Sequence, residues 1–310
     1  MSTIAQDDTI RMLTWNVEHG GRDKDGAVHR RHLAHDVMAS YRPHLVLRQE
    51  LTGAEADGRR PLWEEATRLG LVAFLAPATP ESPNATGVLL DPNVFEVQAE
   101  YHHVTNGWHP ICNPVVKFKG TARSVSLASV HLCSYDPPTR AREARRLLFL
   151  ADQNRSVLLG GDFNSYPHRA QAETVPLPDW SRVENTGHFE RRTVWRGDEQ
   201  VSDVEPDRIL ASERVLAGGR VQPGVYAELG HHAATTLGQP QALDATASLW
   251  RADEGHRSRI DRMYATPDIA AALTSFEVVA SEDVREVSDH ALLVAEFSAT
   301  RLRQALTRAA

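Results

Sequence analysis

An α/β or α+β body, built on one mixed sheet or two packed sheets, is the fold class this sequence predicts. Nine short segments of β character run along the 310-residue chain, and helical patterns fall between only some of them. Apolar residues make up 41% and charged residues 24%, globular values that exclude disordered, collagen-like and coiled-coil chains.

The strand candidates are 12–17, 45–50, 87–90, 114–118, 125–132, 157–160, 259–265, 276–279 and 291–297. Several are rich in β-branched residues and bounded by Gly, Pro, Asn or Asp, which turn the chain. Among the helices, 31–41 sets Leu33, Val37 and Tyr41 on one face before Pro43 stops it. The next, 139–151, starts beside Pro138 and aligns Ala141, Ala144, Leu148 and Ala151 against a ring of Arg140, Arg142, Arg145 and Arg146. From about Glu184 to His256 the strand rhythm weakens and 207–217 and 225–237 read as helical, so this stretch is expected to be an insertion or a small subdomain.

No apolar run approaches the roughly 18 residues of a membrane span, and Asp7, Asp8 and Arg11 interrupt any signal-peptide core. The expected location is the cytoplasm, with no membrane partner. Two cysteines, Cys112 and Cys133, exclude a disulfide framework and a four-cysteine zinc site. A net charge of -7 argues against affinity resting on a broad basic surface, although a local cationic cleft or a bound metal still allows a phosphate substrate. Of the 34 basic residues 31 are Arg, read mainly as codon bias. His29, His32 and His35 are spaced so that three ligands would converge poorly. The groups His102, His103, His109 with Cys112, and His231 with His232, read as surface imidazoles. No G-x-S-x-G elbow, P-loop or Rossmann fingerprint is present, which removes serine hydrolases, P-loop NTPases and dinucleotide oxidoreductases.

Polar residues instead gather at strand ends, where a rigid sheet aims them into one cleft. They are Asn16 and Glu18 in TWNVEHGG, Glu50 in LVLRQE, His131 in ASVHL, Asp162 and Asn164 in LLGGDFN, Asp261 in SRIDR, and Asp289 with His290 in VSDHALLV. Together TWN, QE, GDFN, RID and SDH make the chain resemble the endonuclease/exonuclease/phosphatase family from Asn16 to His290. The resemblance implies a four-layer α/β/β/α sandwich of two packed mixed sheets and hydrolysis of phosphate esters with a divalent metal, Mg2+ or alternatively Mn2+.

Within that likeness Glu50 is the expected metal ligand, with Asn16 and Asp289 near it and Glu18 joining from the same strand face. His290 and Asp261 read as an imidazole oriented by a carboxylate. Asp162 is implied to activate water or protonate the leaving group, Asn164 to hold the nucleophile or a phosphate oxygen, and His131 to donate to a nonbridging oxygen. Which of Asp162 and His290 is the base stays open. Arg48 stands where many relatives carry an apolar residue; sharing a side with Glu50, it either pairs with Glu18 or a substrate phosphate or sits at the core edge. Arg140 is a second candidate phosphate contact.

One catalytic domain over 8–300 is expected, with the insertion at about 184–256 and a short C-terminal tail at 301–310. Between Asn164 and Asp261 the chain is longer than compact relatives need, and Trp180, Phe189, Trp195, Tyr226 and Trp250 there form either a substrate wall or a minor core. The expected function is Mg2+-dependent cleavage of phosphodiesters or phosphomonoesters in a phosphorylated small molecule or a nucleic acid. A DNA or RNA nuclease, a biosynthetic enzyme reusing the metal site, and a non-catalytic phosphate-binding module on the same fold are the alternatives.

Overall fold

The computed structural model describes residues 8–169, 173–250 and 256–307. The first half of the chain forms β1 (Thr9–Asn16), α1 (His29–Ser40), β2 (Leu45–Gln49), α2 (Ala56–Leu69), β3 (Val72–Ala76), β4 (Thr86–Leu90), β5 (Phe95–His103), β6 (Ile111–Phe118) and β7 (Ser124–His131). It continues with α3 (Pro137–Leu147), β8 (Ser156–Asp162), α4 (Thr186–Arg192), β9 (Thr193–Arg196), β10 (Glu199–Ser202), α5 (Glu205–Ala211), β11 (Arg214–Val215), β12 (Val221–Gln222), β13 (Ala227–Glu228) and α6 (Leu229–Thr236). The last part holds β14 (Asp261–Ala265), α7 (Pro267–Ala270), β15 (Leu273–Val279), α8 (Glu282–Val287), β16 (Leu292–Ser298) and α9 (Ala299–Thr307).

Two six-stranded sheets result, ordered β15-β16-β1-β2-β4-β3 and β13-β14-β8-β7-β6-β5. Each is mixed: β1 runs parallel to β2 and β7 parallel to β8, while the other pairs are antiparallel. Alternation along the strands gives each sheet two apolar faces. Met12, Leu45, Leu47 and Val88 of the first sheet meet Cys112, Val116, Leu127 and Leu158 of the second in the central core. On the opposite faces, Leu13, Trp15 and Val46 pack on α1 and α8 through Ala34, Met38 and Val284. Ala128, Val130 and Leu159 pack on α3 and α5 through Ala144, Leu147 and Leu210. The layers are therefore helix, sheet, sheet, helix.

Three expectations change. The expected short C-terminal tail is helical over 301–307, where α9 runs to Thr307 and buries Leu302 and Leu306, while 308–310 lie outside the described residues. The 184–256 stretch, of which 251–255 lie outside the described residues, is less helical than its pattern suggests. Helix α5 ends at Ala211, and 214–222 forms the β11–β12 hairpin. β13 from this stretch pairs with β14, completing an edge of the second sheet.

Arg48 is buried, and its alternation with Glu50 fails because β2 ends at Gln49 and Glu50 adopts a left-handed φ of 52°. Its Nε donates to Glu65 Oε1 at 2.7 Å and its Nη1 to the Trp15 carbonyl at 2.6 Å, with His35 Nε2 3.3 Å from the same carboxylate. The guanidinium thus reaches α2 and the backbone of β1, away from Glu18.

Candidate active site

The signature residues meet at one edge of the sandwich, where β1, β2, β7 and β8 end together. Register dictates this: Asn16 pairs with Gln49 in the first sheet, and His131 with Asp162, itself opposite Asp261, in the second. Gly161 lets β7 and β8 close, since its φ of 146° and the Val130 carbonyl, 1.8 Å from where a Cβ would sit, exclude any side chain. The sheets are pinned here by Gln49 Nε2, which donates across the gap to Ser129 Oγ at 2.9 Å.

Asn16 Nδ2 bridges the sheets, donating to Asp162 Oδ2 at 3.2 Å and, more weakly, to Glu50 Oε1 at 3.4 Å. The left-handed turn at Glu50 swings its carboxylate back toward the 3-10 turn that follows β1, where the His19 N–H donates to Oε2 at 2.9 Å. Burial raises the Glu50 pKa above the ordinary carboxyl value, the His19 N–H opposing it.

His290 enters from the loop after α8. Ser288 ties that loop down: its Oγ donates to the Asn16 carbonyl at 2.8 Å and accepts from the Glu18 and His290 N–H groups. The His290 ring presents Nδ1 to Asp261 at 2.9 Å and Nε2 toward Asp162 at 4.0 Å and Asp289 at 3.8 Å. Burial alone would strip its proton; the Asp261, Asp289 and Asp162 carboxylates outweigh that and hold the ring charged well above its ordinary range. Burial pushes Asp261 itself up to about 6.

His131 lies 3.6 Å from Asp162 through Nε2, while its Nδ1 is buried without a hydrogen-bond partner. Its ring stacks on His109, with centroids 3.8 Å apart and planes at 11°, and His109 Nδ1 contacts Ser82 Oγ at 2.6 Å. Burial drives both imidazoles neutral, His131 to about 3 and His109 to about 2. His109 is therefore an inner element of the site, not a surface ring. Nothing in the sequence links it to His131, because the pairing depends on two separate loops. Glu143 of α3 fastens both loops, accepting from the Trp108 N–H at 2.6 Å and the Cys133 N–H at 2.8 Å.

Other expected residues lie elsewhere. Glu18 belongs to a 3-10 turn after β1, so it does not share the strand face of Asn16, and its Oε2 lies 3.5 Å from Arg30 Nη1. Arg140 is fully buried: Nε donates to Asp203 at 2.9 Å, Nη1 to the Cys133 carbonyl and Nη2 to the Arg191 carbonyl, leaving it unable to meet a phosphate. The Asn164 amide is committed, Nδ2 donating to the Leu132 carbonyl and Oδ1 accepting from Arg192. The aromatics between Asn164 and Asp261 divide. Tyr226 is core, its hydroxyl donating to the Leu147 carbonyl, while Trp195 and Trp250 are exposed. Trp180 packs with Tyr166, His188, Phe189 and His256 in a cluster beside the GDFN loop.

The sequence from 13 to 290 matches the model of the endonuclease/exonuclease/phosphatase family. The chain belongs to that family. Its members are generally metal-dependent phosphoester hydrolases, nucleases and phosphatases among them. A search of curated proteins finds no match. Solved structures of the endonuclease/exonuclease/phosphatase fold superpose well. D. rerio TDP2 humanized by 14 mutations is 16% identical with a TM-score of 0.60, covering 94% of this chain and 99% of that one. The human Nocturnin catalytic domain with bound sulfate is 15% identical with a TM-score of 0.54, covering 94% of each chain. ANGEL2, a 2',3'-cyclic phosphatase in complex with adenosine-2',3'-vanadate, is 15% identical with a TM-score of 0.57, covering 93% of this chain and 95% of that one.

The donors suit a hard divalent cation. Glu50 supplies a carboxylate, and Asn16 Oδ1 is buried with no hydrogen-bond partner, an orphaned oxygen of the kind a metal satisfies. Among the described residues Asp162, Asp261 and His290 also offer one atom each within 4.8 Å of one another. No helix among the described residues is long and apolar enough to cross a membrane.

Proposed function

We propose that this chain hydrolyses phosphate esters by in-line attack of water with Mg2+ bound at Glu50 and Asn16, with Asp289 close by. The observation that carries the reading is the His290–Asp261 pair facing Asp162 beside the Asn16–Glu50 oxygens. A bound divalent ion supplies neutralisation of a phosphoryl oxygen and of the departing alkoxide. The chain's own groups do the rest. His290 presents Nε2–H to a phosphate oxygen, and Asp261 fixes its tautomer and stabilises its charge. Asp162 is then the carboxylate that takes the proton of the attacking water, because His290 already holds one. Neutral His131 donates from Nε2 to a nonbridging oxygen as charge builds.

The substrate class is a nucleotide or nucleic-acid phosphoester. Support comes from the ligands of the structural relatives, a TDP2 holding a single-strand DNA product and ANGEL2 holding adenosine-2',3'-vanadate. The test is hydrolysis of bis(p-nitrophenyl) phosphate, p-nitrophenyl phosphate, nucleoside 2',3'-cyclic phosphates and a labelled oligonucleotide, with Mg2+, Mn2+ or EDTA. Activity should require the metal and fall about 10²- to 10⁴-fold in His290→Ala. Turnover surviving EDTA, or a loss under about tenfold in the variant, would overturn the assignment.

A further inference from the structure

We propose that Arg192 is a phosphate-binding residue of this site, delivered by the end of α4 and aimed by Asn164. The inference rests on the phosphoester reading of the same centre and adds a residue that no sequence motif marks.

Both arginine candidates, Arg48 on β2 and Arg140 on α3, are spent on structure and leave the phosphate cleft without their guanidinium groups. Arg192 fills that gap. Its Nη1 donates twice to Asn164, to the carbonyl at 2.7 Å and to Oδ1 at 2.6 Å. Asn164 in turn gives its N–H to Asp162 Oδ1 at 2.8 Å and holds a left-handed φ of 50°. One residue therefore separates the guanidinium from the carboxylate at the centre of the cleft. Nε and Nη2 remain open: among the described residues they make no hydrogen bond, and no carboxylate lies within 4.0 Å of the group. A half-buried cation with unused donors and no counter-ion is arranged for an anion that arrives from outside. Its charge is felt at His131, helping to keep that ring neutral, which supports the nearness of the two.

The backbone beneath it is held firmly. The Asp203 N–H donates to the Arg192 carbonyl at 2.9 Å, and Arg140 Nη2 donates to the Arg191 carbonyl at 2.8 Å. The Arg140–Asp203 pair is buried, and Arg140 also grips the Cys133 carbonyl in the loop after His131. Arg140 is thus a positioning residue that fixes Arg192 against the loops that follow His131 and Asp162. With the Asn164 amide committed, the contact to a nonbridging oxygen passes from Asn164 to the arginine it orients.

Inorganic phosphate is the probe, titrated calorimetrically into the Mg2+-loaded protein, alongside kcat/KM for the best ester. Arg192→Ala should weaken phosphate binding and lower kcat/KM by about 10- to 100-fold, as loss of charged hydrogen bonds does. Arg192→Lys should fall between, and added methylguanidinium should restore part of the Ala variant's activity, which a merely structural role would not allow. Arg191→Ala, an exposed neighbour, controls for general electrostatics. Should the Ala variant fold poorly, Arg192→Gln at unchanged melting temperature gives the same reading. Phosphate affinity and kcat/KM within about twofold of wild type, or an equal loss in Arg191→Ala, would overturn the proposal. If the wild type hydrolyses no ester yet binds phosphate through Arg192, the hydrolase reading falls and this one stands.

Discussion

Replacing Arg48 with Ala should cost stability and spare substrate affinity. Its guanidinium neutralises Glu65 in a pocket closed by His35, and all three side chains are buried. Burial pushes the Glu65 pKa up, but Arg48 and His35 more than reverse it and hold the carboxyl at about 2, against an ordinary 4.5. That difference corresponds to about 3 kcal/mol, at the lower end of the roughly 3–5 kcal/mol measured when one partner of a buried pair is removed. The depressed carboxyl contributes this stability in full above pH 4.5 and loses it as pH falls toward 2. Calorimetry at pH 7 should show a melting temperature lowered by about 6 °C or more, at roughly 2–4 °C per kcal/mol for a chain somewhat smaller than this one. KM for the phosphoester, measured well below that temperature, should stay within about twofold. Arg48→Met combined with Glu65→Leu should recover most of the loss, since an apolar pair needs no mutual neutralisation. An unchanged melting temperature with KM raised tenfold or more would refute the reasoning and put the guanidinium against substrate.

Acid should act through the stacked histidines. His109 and His131 are neutral in the fold and bind protons once unfolded, so stability is full above about pH 6.5 and is lost as pH drops toward 3, by up to about 1.4 kcal/mol per pH unit for each ring. Urea midpoints between pH 5 and 7 should therefore slope less in His109→Gln than in wild type, and parallel slopes would exclude the stack as the cause. Cys112 and Cys133 are free and buried, with burial pushing the Cys112 thiol up to about 12. Native protein should resist a thiol reagent and yield two equivalents only in denaturant; rapid labelling of the folded protein would contradict that burial.

What the sequence made legible was whatever repeats locally or ends a strand. Nine strands and the helices at α1 and α3 follow from alternation, 3.6-residue spacing and turn residues. β5 was missed because it is an edge strand whose FEVQAEYHH is mostly exposed, so its pattern answers to solvent more than to a core. α2 was missed because Pro61 and the left-handed Asp57 to Arg59 stretch break its pattern. At the site, Asn16, Glu50, Asp162, Asp261 and His290 are legible because adjacent strand ends must converge. The choice for Arg48 between cleft and core edge is not readable from alternation, which holds only while the strand continues, and Glu50 turns left-handed one residue after it ends. Arg192 and His109 were not legible at all: one is an arginine among 31, and each acquires meaning only from a loop distant in sequence.

The seam between β1 and β16 joins the two ends of the described chain. Arg11 Nε donates to Glu296 at 2.8 Å, and the Asp8 carboxylate accepts from Ser298 and Thr300. The first strand therefore finds its antiparallel neighbour at the far end of the described residues, and His290 lies just ahead of that neighbour in sequence. Pairing between segments so far apart in sequence is intrinsically slow, because loop-closure entropy must be met before the contacts that reward it.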